Sequence, residues 1–109
     1  MLQTLSLHLP KKVLKHMTHV HTLAPAQIVM YTTEFCADCY RAKKFFDSHG
    51  IPYLPIGLEG NPEATEFVMK INNGYRSVPT IIFPDGSVLV EPSWDELKSK
   101  ITPPTAQEQ

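Results

Sequence analysis

Ile28-Val29-Met30-Tyr31-Thr32-Thr33-Glu34-Phe35-Cys36-Ala37-Asp38-Cys39 is the stretch that decides the fold. Its first half is apolar and β-branched and ends in polar residues, as a buried strand does on reaching the edge of a sheet. Two thiols follow at a spacing of three, and a helical period begins at the same point. Cys36 therefore falls at a strand-to-helix junction and Cys39 one turn into the helix. Unpaired N–H groups and aligned peptide dipoles at a helix start favour a thiolate, so Cys36 should be the reactive sulfur. Cys39, Ala42, Phe46 and His49 recur at spacings of three and four, which assigns Cys39 to an inward, mostly apolar stripe. An exposed nucleophile with a resolving thiol behind it is the arrangement these spacings predict.

Working outward, 109 residues suffice for one domain with a modest core. The formal net charge of −1, with no basic stripe interleaved with aromatics, gives no reason to expect nucleic acid. Both cysteines of the chain lie in the one motif, which fits a working dithiol in a reducing, cytoplasmic setting better than a secreted disulfide scaffold. Residues 1–26 read as an N-terminal extension, either loosely held or a short docked helix from about Lys11 to Val20, with Met17 as an alternative start. The segment lacks the continuous apolar run of a secretory signal and the arginines of an organellar presequence, and no stretch is long enough to span a membrane.

Residues 27–102 form the domain. Ala37 to Ser48 reads as helix, with Gly50 as a left-handed stop. Tyr53 to Gly57 is a second strand, placed at a sheet edge because Pro55 removes a ladder donor. Asn61-Pro62-Glu63 opens a second helix that carries Ala64, Phe67, Val68 and Ile71 on one face and stops at Asn72-Asn73-Gly74. Thr80 to Phe83, the turn Pro84-Asp85-Gly86 and Val88 to Val90 make a hairpin. Ser93-Trp94-Asp95-Glu96 has capping-box spacing and starts a last helix, ended by Pro103-Pro104; residues 103–109 read as a frayed tail. The order βαβαββα implies an α/β domain: a four-stranded mixed sheet flanked by helices.

Tyr31-Thr32-Thr33-Glu34-Phe35-Cys36-Ala37-Asp38-Cys39, Ser77-Val78-Pro79-Thr80 and Asp85-Gly86-Ser87 together resemble the glutaredoxin family of the thioredoxin superfamily. The Tyr-Thr-Thr approach, the Val-Pro-Thr segment and Pro92-Ser93-Trp94-Asp95-Glu96-Leu97 are most similar to mycoredoxin-type members. The resemblance spans about residues 27–102. It implies a thioredoxin fold and a thiol–disulfide oxidoreductase with Cys36 and Cys39 as catalytic residues. Its partners would be disulfide-containing proteins, a low-molecular-weight thiol of mycothiol or glutathione type as co-substrate, and a reductase. It also implies a cis Val78-Pro79 bond that turns the backbone of Val78 towards the dithiol. No bound cofactor or metal, no membrane and no nucleic acid is expected, and the chain should be a monomer. A close variant is an electron donor to ribonucleotide reductase, although those redoxins typically carry a different C-terminal signature.

A reading from another class keeps the cysteine pair as half of a zinc site, with His16, His19 and His21 as a source of further ligands. Against it, structural zinc cysteines usually sit on a tight turn and not before a buried helix. Substrate recognition is assigned to Phe35 and Tyr40, which flank the thiols, to Val78 and Pro79, and to Arg76, placed to meet a carboxylate- or sugar-bearing thiol. Glutathione-binding relatives place a Gly-Gly pair after the fourth strand, where this chain has Val90-Glu91-Pro92-Ser93. Many also place a lysine before the first cysteine; here Glu34 stands there and Asp38 separates the thiols.

Both carboxylates oppose a thiolate at Cys36, and the lysines and arginine lie further along the helix. The dithiol should therefore poise near about −270 mV, at the reducing end of the range, and not near the −200 to −230 mV usual for glutaredoxins. Equilibration of the protein with a thiol buffer of known potential measures this, and a value above about −200 mV overturns it.

Overall fold

Val29–Thr32, here β1, is buried along its whole length, as expected of a strand covered on both faces. The computed structural model describes residues 21–102, and the expected helix at Lys11 to Val20 and the expected tail lie outside the described residues. After β1 come α1 (Ala37–Ser48), β2 (Leu54–Gly57), α2 (Pro62–Ile71), β3 (Thr80–Ile82), β4 (Val88–Val90) and α3 (Trp94–Ile101). The sheet runs β2-β1-β3-β4, with β2 parallel to β1 and the other neighbours antiparallel. This is the mixed sheet that the order of elements implies, and it has the thioredoxin-type topology that the family resemblance implies.

Strand alternation sends side chains to two separate cores. Met30 and Ile81 face Ala42, Phe45 and Phe46 of α1 and Leu97 of α3. Val29, Tyr31 and Ile82 face Ala64 and Val68 of α2. Each fully buried large side chain contributes about 1.5–3 kcal/mol relative to exposure, so these two layers hold the sheet between its helices. Pro55 is tolerated because Leu54 and Leu58 donate to Ile28 and Thr32 on β1, which turns the nitrogen of Pro55 to the open edge.

The helix ends follow local chemistry. At the end of α1 the N–H of Gly50 donates to Asp47 and that of Ile51 to Phe46, a Schellman closure that needs the positive φ of Gly50 (65°). This closure also corrects the expected inward stripe. His49 is the exposed C-cap residue, and its ring stacks on Phe45 with centroids 4.2 Å apart, so the buried stripe is Cys39, Ala42, Phe45 and Phe46. Asn61 Oδ1 accepts the N–H of Ala64 to start α2, and Ser93 and Glu96 form the capping box of α3. Tyr53 and Phe83, expected at strand ends, instead flank β2 and β3. Phe83 already belongs to the hairpin turn, where Gly86 (φ 90°) donates to its carbonyl.

Residues 21–26, the end of the expected extension, lie on the domain. The His21 ring sits against Tyr31 and Phe67, with centroids 5.8 Å from each. Burial raises the pKa of the Tyr31 phenol, and its hydroxyl is hydrogen-bonded with His21 Nδ1 at 2.8 Å. Among the described residues no helix is long and apolar enough to cross a membrane.

The hairpin turn is tied to α3 by Asp85, whose carboxylate accepts from Lys100 Nζ at 2.6 Å and from the hydroxyl and N–H of Ser87. The Lys100 hydrogen bond, followed by those from Ser87, holds this carboxyl well below the usual carboxylate range. A lowered folded-state pKa gives stability that is present above the unfolded value and is lost as pH falls through the folded one. Asp85→Asn should therefore lower Tm at pH 7, with the difference from the native protein shrinking below about pH 4. Thermal unfolding across pH 2 to 7 checks it, and a difference that does not change with pH overturns the assignment.

Candidate functional site

Cys36 is the N-cap residue of α1, with extended backbone (φ −141°, ψ 106°), and its Sγ accepts the N–H of Cys39 at 3.0 Å. A helix start leaves its first N–H groups without helical partners, and here a sulfur takes one of them. The two cysteines are joined as a disulfide with their Cα atoms 5.2 Å apart. Cys36 is half-buried whereas Cys39 is 1% exposed, in the stripe under α1. The exposed lip and the covered partner expected from the spacing are both present.

The second wall of the site is the segment from Tyr75 to Pro79. The Val78-Pro79 bond is cis, and the carbonyl oxygen of Val78 lies 3.8 Å from Cys36 Sγ. Pro79 is fully buried, and the Val78 side chain packs on the core beneath α2. Val78 thus offers its backbone to the dithiol and uses its side chain as an anchor. Hydrogen bonds invisible in the sequence hold this wall on two sides. Asn72 Nδ2 donates to Val68 O and Thr80 Oγ1, and Thr80 Oγ1 donates to Ser77 O at 2.7 Å. On the other side the N–H of Glu91 donates to Pro79 O at 2.9 Å. Glu91 has φ 51°, the left-handed region where glycine is usual. Asn72 could be read only as a helix stop, because its partner Thr80 lies across a loop. Glu91 was visible as the residue replacing a glycine, but not as a partner of Pro79.

Of the other expected substrate residues, Phe35 and Tyr40 are next to the cysteines in the chain, whereas Arg76 lines a groove that contains neither cysteine. Phe35 is 97% exposed, directly before the nucleophile position. Tyr40 is 64% exposed, and Lys44 Nζ stands 5.7 Å from its ring centroid. Arg76 is exposed and lies near the carboxylate of Glu59, which in turn accepts the N–H of Glu34 at 2.8 Å. Those backbone N–H bonds, from Glu34 first and then from Glu59 itself, lower the Glu59 pKa, and Arg76 adds to the effect. An open groove of about 700 Å³ runs from Arg76 along Gly74, Met69 and Thr65 to Leu58. Asp38 does not act alone beside the thiols, since Arg41 Nη1 pairs with it at 2.9 Å. The pair is exposed, so it offsets the Asp38 charge only modestly.

The zinc reading finds no support. Among the described residues no group of three or more His, Cys, Asp or Glu side chains is arranged to hold a metal ion. His21 is turned to Tyr31, away from any shared site with the cysteines, and His16 and His19 lie outside the described residues.

Comparison with known proteins gives the same answer as the geometry. The family model described as Glutaredoxin matches residues 28–88. A candidate glutaredoxin of Mycobacterium tuberculosis is 43% identical over 76 residues, 70% of this chain and 90% of the relative. Mycoredoxin 1 of Corynebacterium glutamicum is 33% identical over 76 residues, 70% of this chain and 94% of the relative. Among solved structures, a glutaredoxin from Archaeoglobus fulgidus superposes with a TM-score of 0.59 at 23% identity, covering 72% of this chain and 88% of that one, which speaks to the fold. With the family model matching residues 28–88 and a relative 43% identical over 70% of this sequence, the chain belongs to the glutaredoxin family.

Proposed function

We propose that the protein is a dithiol reductant of protein disulfides and of mixed disulfides between proteins and a low-molecular-weight thiol. Family membership supplies thiol–disulfide oxidoreductase activity in general terms. The observation that carries the finer reading is Cys36 Sγ at the N-cap, half-exposed, accepting the N–H of Cys39 and facing the backbone of Val78. In the reduced protein the Cys36 thiolate attacks one sulfur of the substrate disulfide. That S–S bond breaks, a mixed disulfide forms, and the departing thiolate takes a proton. Cys39 then attacks Cys36 Sγ, releasing the second substrate sulfur as a thiol and closing the Cys36–Cys39 disulfide, so the two electrons come from the dithiol. The N–H bond to Sγ and the helix dipole stabilise the thiolate before attack and when it departs.

Val78 offers backbone beside Cys36 for an extended substrate segment, and the exposed Phe35 and Tyr40 provide apolar area near the dithiol. Arg76 is the cation for a carboxylate or sugar-bearing end of the small thiol. Glu91-Pro92 in place of glycines puts side chains where a glutathione-binding relative has none, which favours a mycothiol-type co-substrate, as does similarity to mycoredoxin 1. Recycling by this thiol or by a reductase, a monomeric state and a reducing, cytoplasmic setting complete the proposal, with residues 27–102 as the working domain.

Cys39→Ser should keep at least about a third of the activity on a peptide–small-thiol mixed disulfide and lose reduction of protein disulfides by about a hundredfold, while Cys36→Ser abolishes both. Loss of both activities in Cys39→Ser assigns the protein to an obligate dithiol cycle. In the reduced native protein, iodoacetamide at pH 7 should label Cys36 at least about tenfold faster than Cys39, from exposure and thiolate character. Peptide mapping by mass spectrometry reads the ratio, and equal labelling overturns the division of roles.

A further inference from the structure

Glu34 and Phe35, the two residues before Cys36, are exposed, so burial does not fix the direction in which the chain reaches the nucleophile. What the structure shows holding them is a carboxylate from another loop. Leu58 is buried, and its N–H continues the pairing of β2 with β1 by donating to Thr32 at 3.0 Å. This anchors the backbone beside Glu59 at the end of β1. From there Glu59 Oε2 accepts the N–H of Glu34 at 2.8 Å, across 25 positions of sequence. Its Oε1 lies back over Gly57, 3.5 Å from where a Cβ on that glycine would stand. The backbone hydrogen bonds, with a lesser part from the charge of Arg76, hold this carboxyl below its usual range. One side chain therefore ties the approach to Cys36 to the turn that follows β2.

We propose that Glu59 is a positioning residue of the dithiol site: its carboxylate fixes the Thr33–Phe35 segment through the Glu34 amide. The proposal rests on the disulfide-reductase reading for its consequence in turnover, but the tether itself is independent of it. Glu59 touches no reacting atom and acts through the segment before Cys36. A backbone N–H to carboxylate bond is charge-assisted, and it needs an acceptor oxygen more than it needs a full charge. Gln therefore preserves the tether and Ala removes it.

The test uses the full chain with Glu59→Ala and Glu59→Gln, reduced in each case. Amide exchange at Glu34 should quicken by about tenfold in Glu59→Ala and stay within about twofold of native in Glu59→Gln. With a peptide–glutathione mixed disulfide as probe, Glu59→Ala should raise KM by about fivefold with kcat within about twofold, and Glu59→Gln should restore KM. A residue that only stabilised the fold would lower Tm without changing KM and without this selective exchange at Glu34. Unchanged exchange at Glu34 in Glu59→Ala overturns the tether. Quickened exchange with KM unchanged overturns its role in positioning. If the native protein turns over no disulfide, the reductase reading fails; the tether is then decided by Glu34 exchange and its positioning role by the Cys36 alkylation rate, which should change at least about threefold in Glu59→Ala.

Discussion

The site depends on a sulfur standing where a helix begins. The opening turn of α1 presents N–H groups that have no helical partner, and Cys36 Sγ takes that of Cys39. An ionised sulfur is a better acceptor than a thiol, so the same contact that caps the helix favours the thiolate. The arrangement works only if the helix start is fixed. β1, buried at the centre of the sheet, fixes it from one side, and the apolar stripe of Cys39, Ala42, Phe45 and Phe46 fixes it from the other.

Around that sulfur the substrate-facing walls are loops, and loops of this kind are held by individual hydrogen bonds more than by burial. The cis-proline wall takes one support from α2, through Asn72, Thr80 and Ser77, and another from the strand-to-helix connection, through Glu91 and Pro79. The approach to Cys36 takes its support from Glu59. The Glu59 contact spans 25 positions of sequence and the Asn72 contact crosses the loop from α2 to β3, so the site is assembled from several parts of the domain.

The charges near the dithiol are mostly solvent-exposed and screened. Asp38 is offset by Arg41, whereas Glu34 gains a second carboxylate, Glu59, beside its backbone. Exposed apolar area at Phe35 and Tyr40 supplies non-directional attraction for substrates of varied sequence, and the Val78 carbonyl supplies direction.

The sequence by itself determined the order of elements, the helix boundaries and the place of both cysteines, because those rest on local chemistry. Asn61-Pro62, Ser93 with Glu96, Gly50 and Pro55 each act within a few residues of where they stand. The same local reading placed His49 on the buried stripe, where the Schellman turn instead leaves it exposed on Phe45. Only the tertiary structure decided what holds the walls. Asn72 with Thr80, Glu91 with Pro79 and Glu59 with Glu34 are pairings across loops, and no periodicity or capping rule registers them. A hydrogen bond between distant residues leaves no pattern in the chain, because its partners are chosen by the packing of the two cores and not by their spacing.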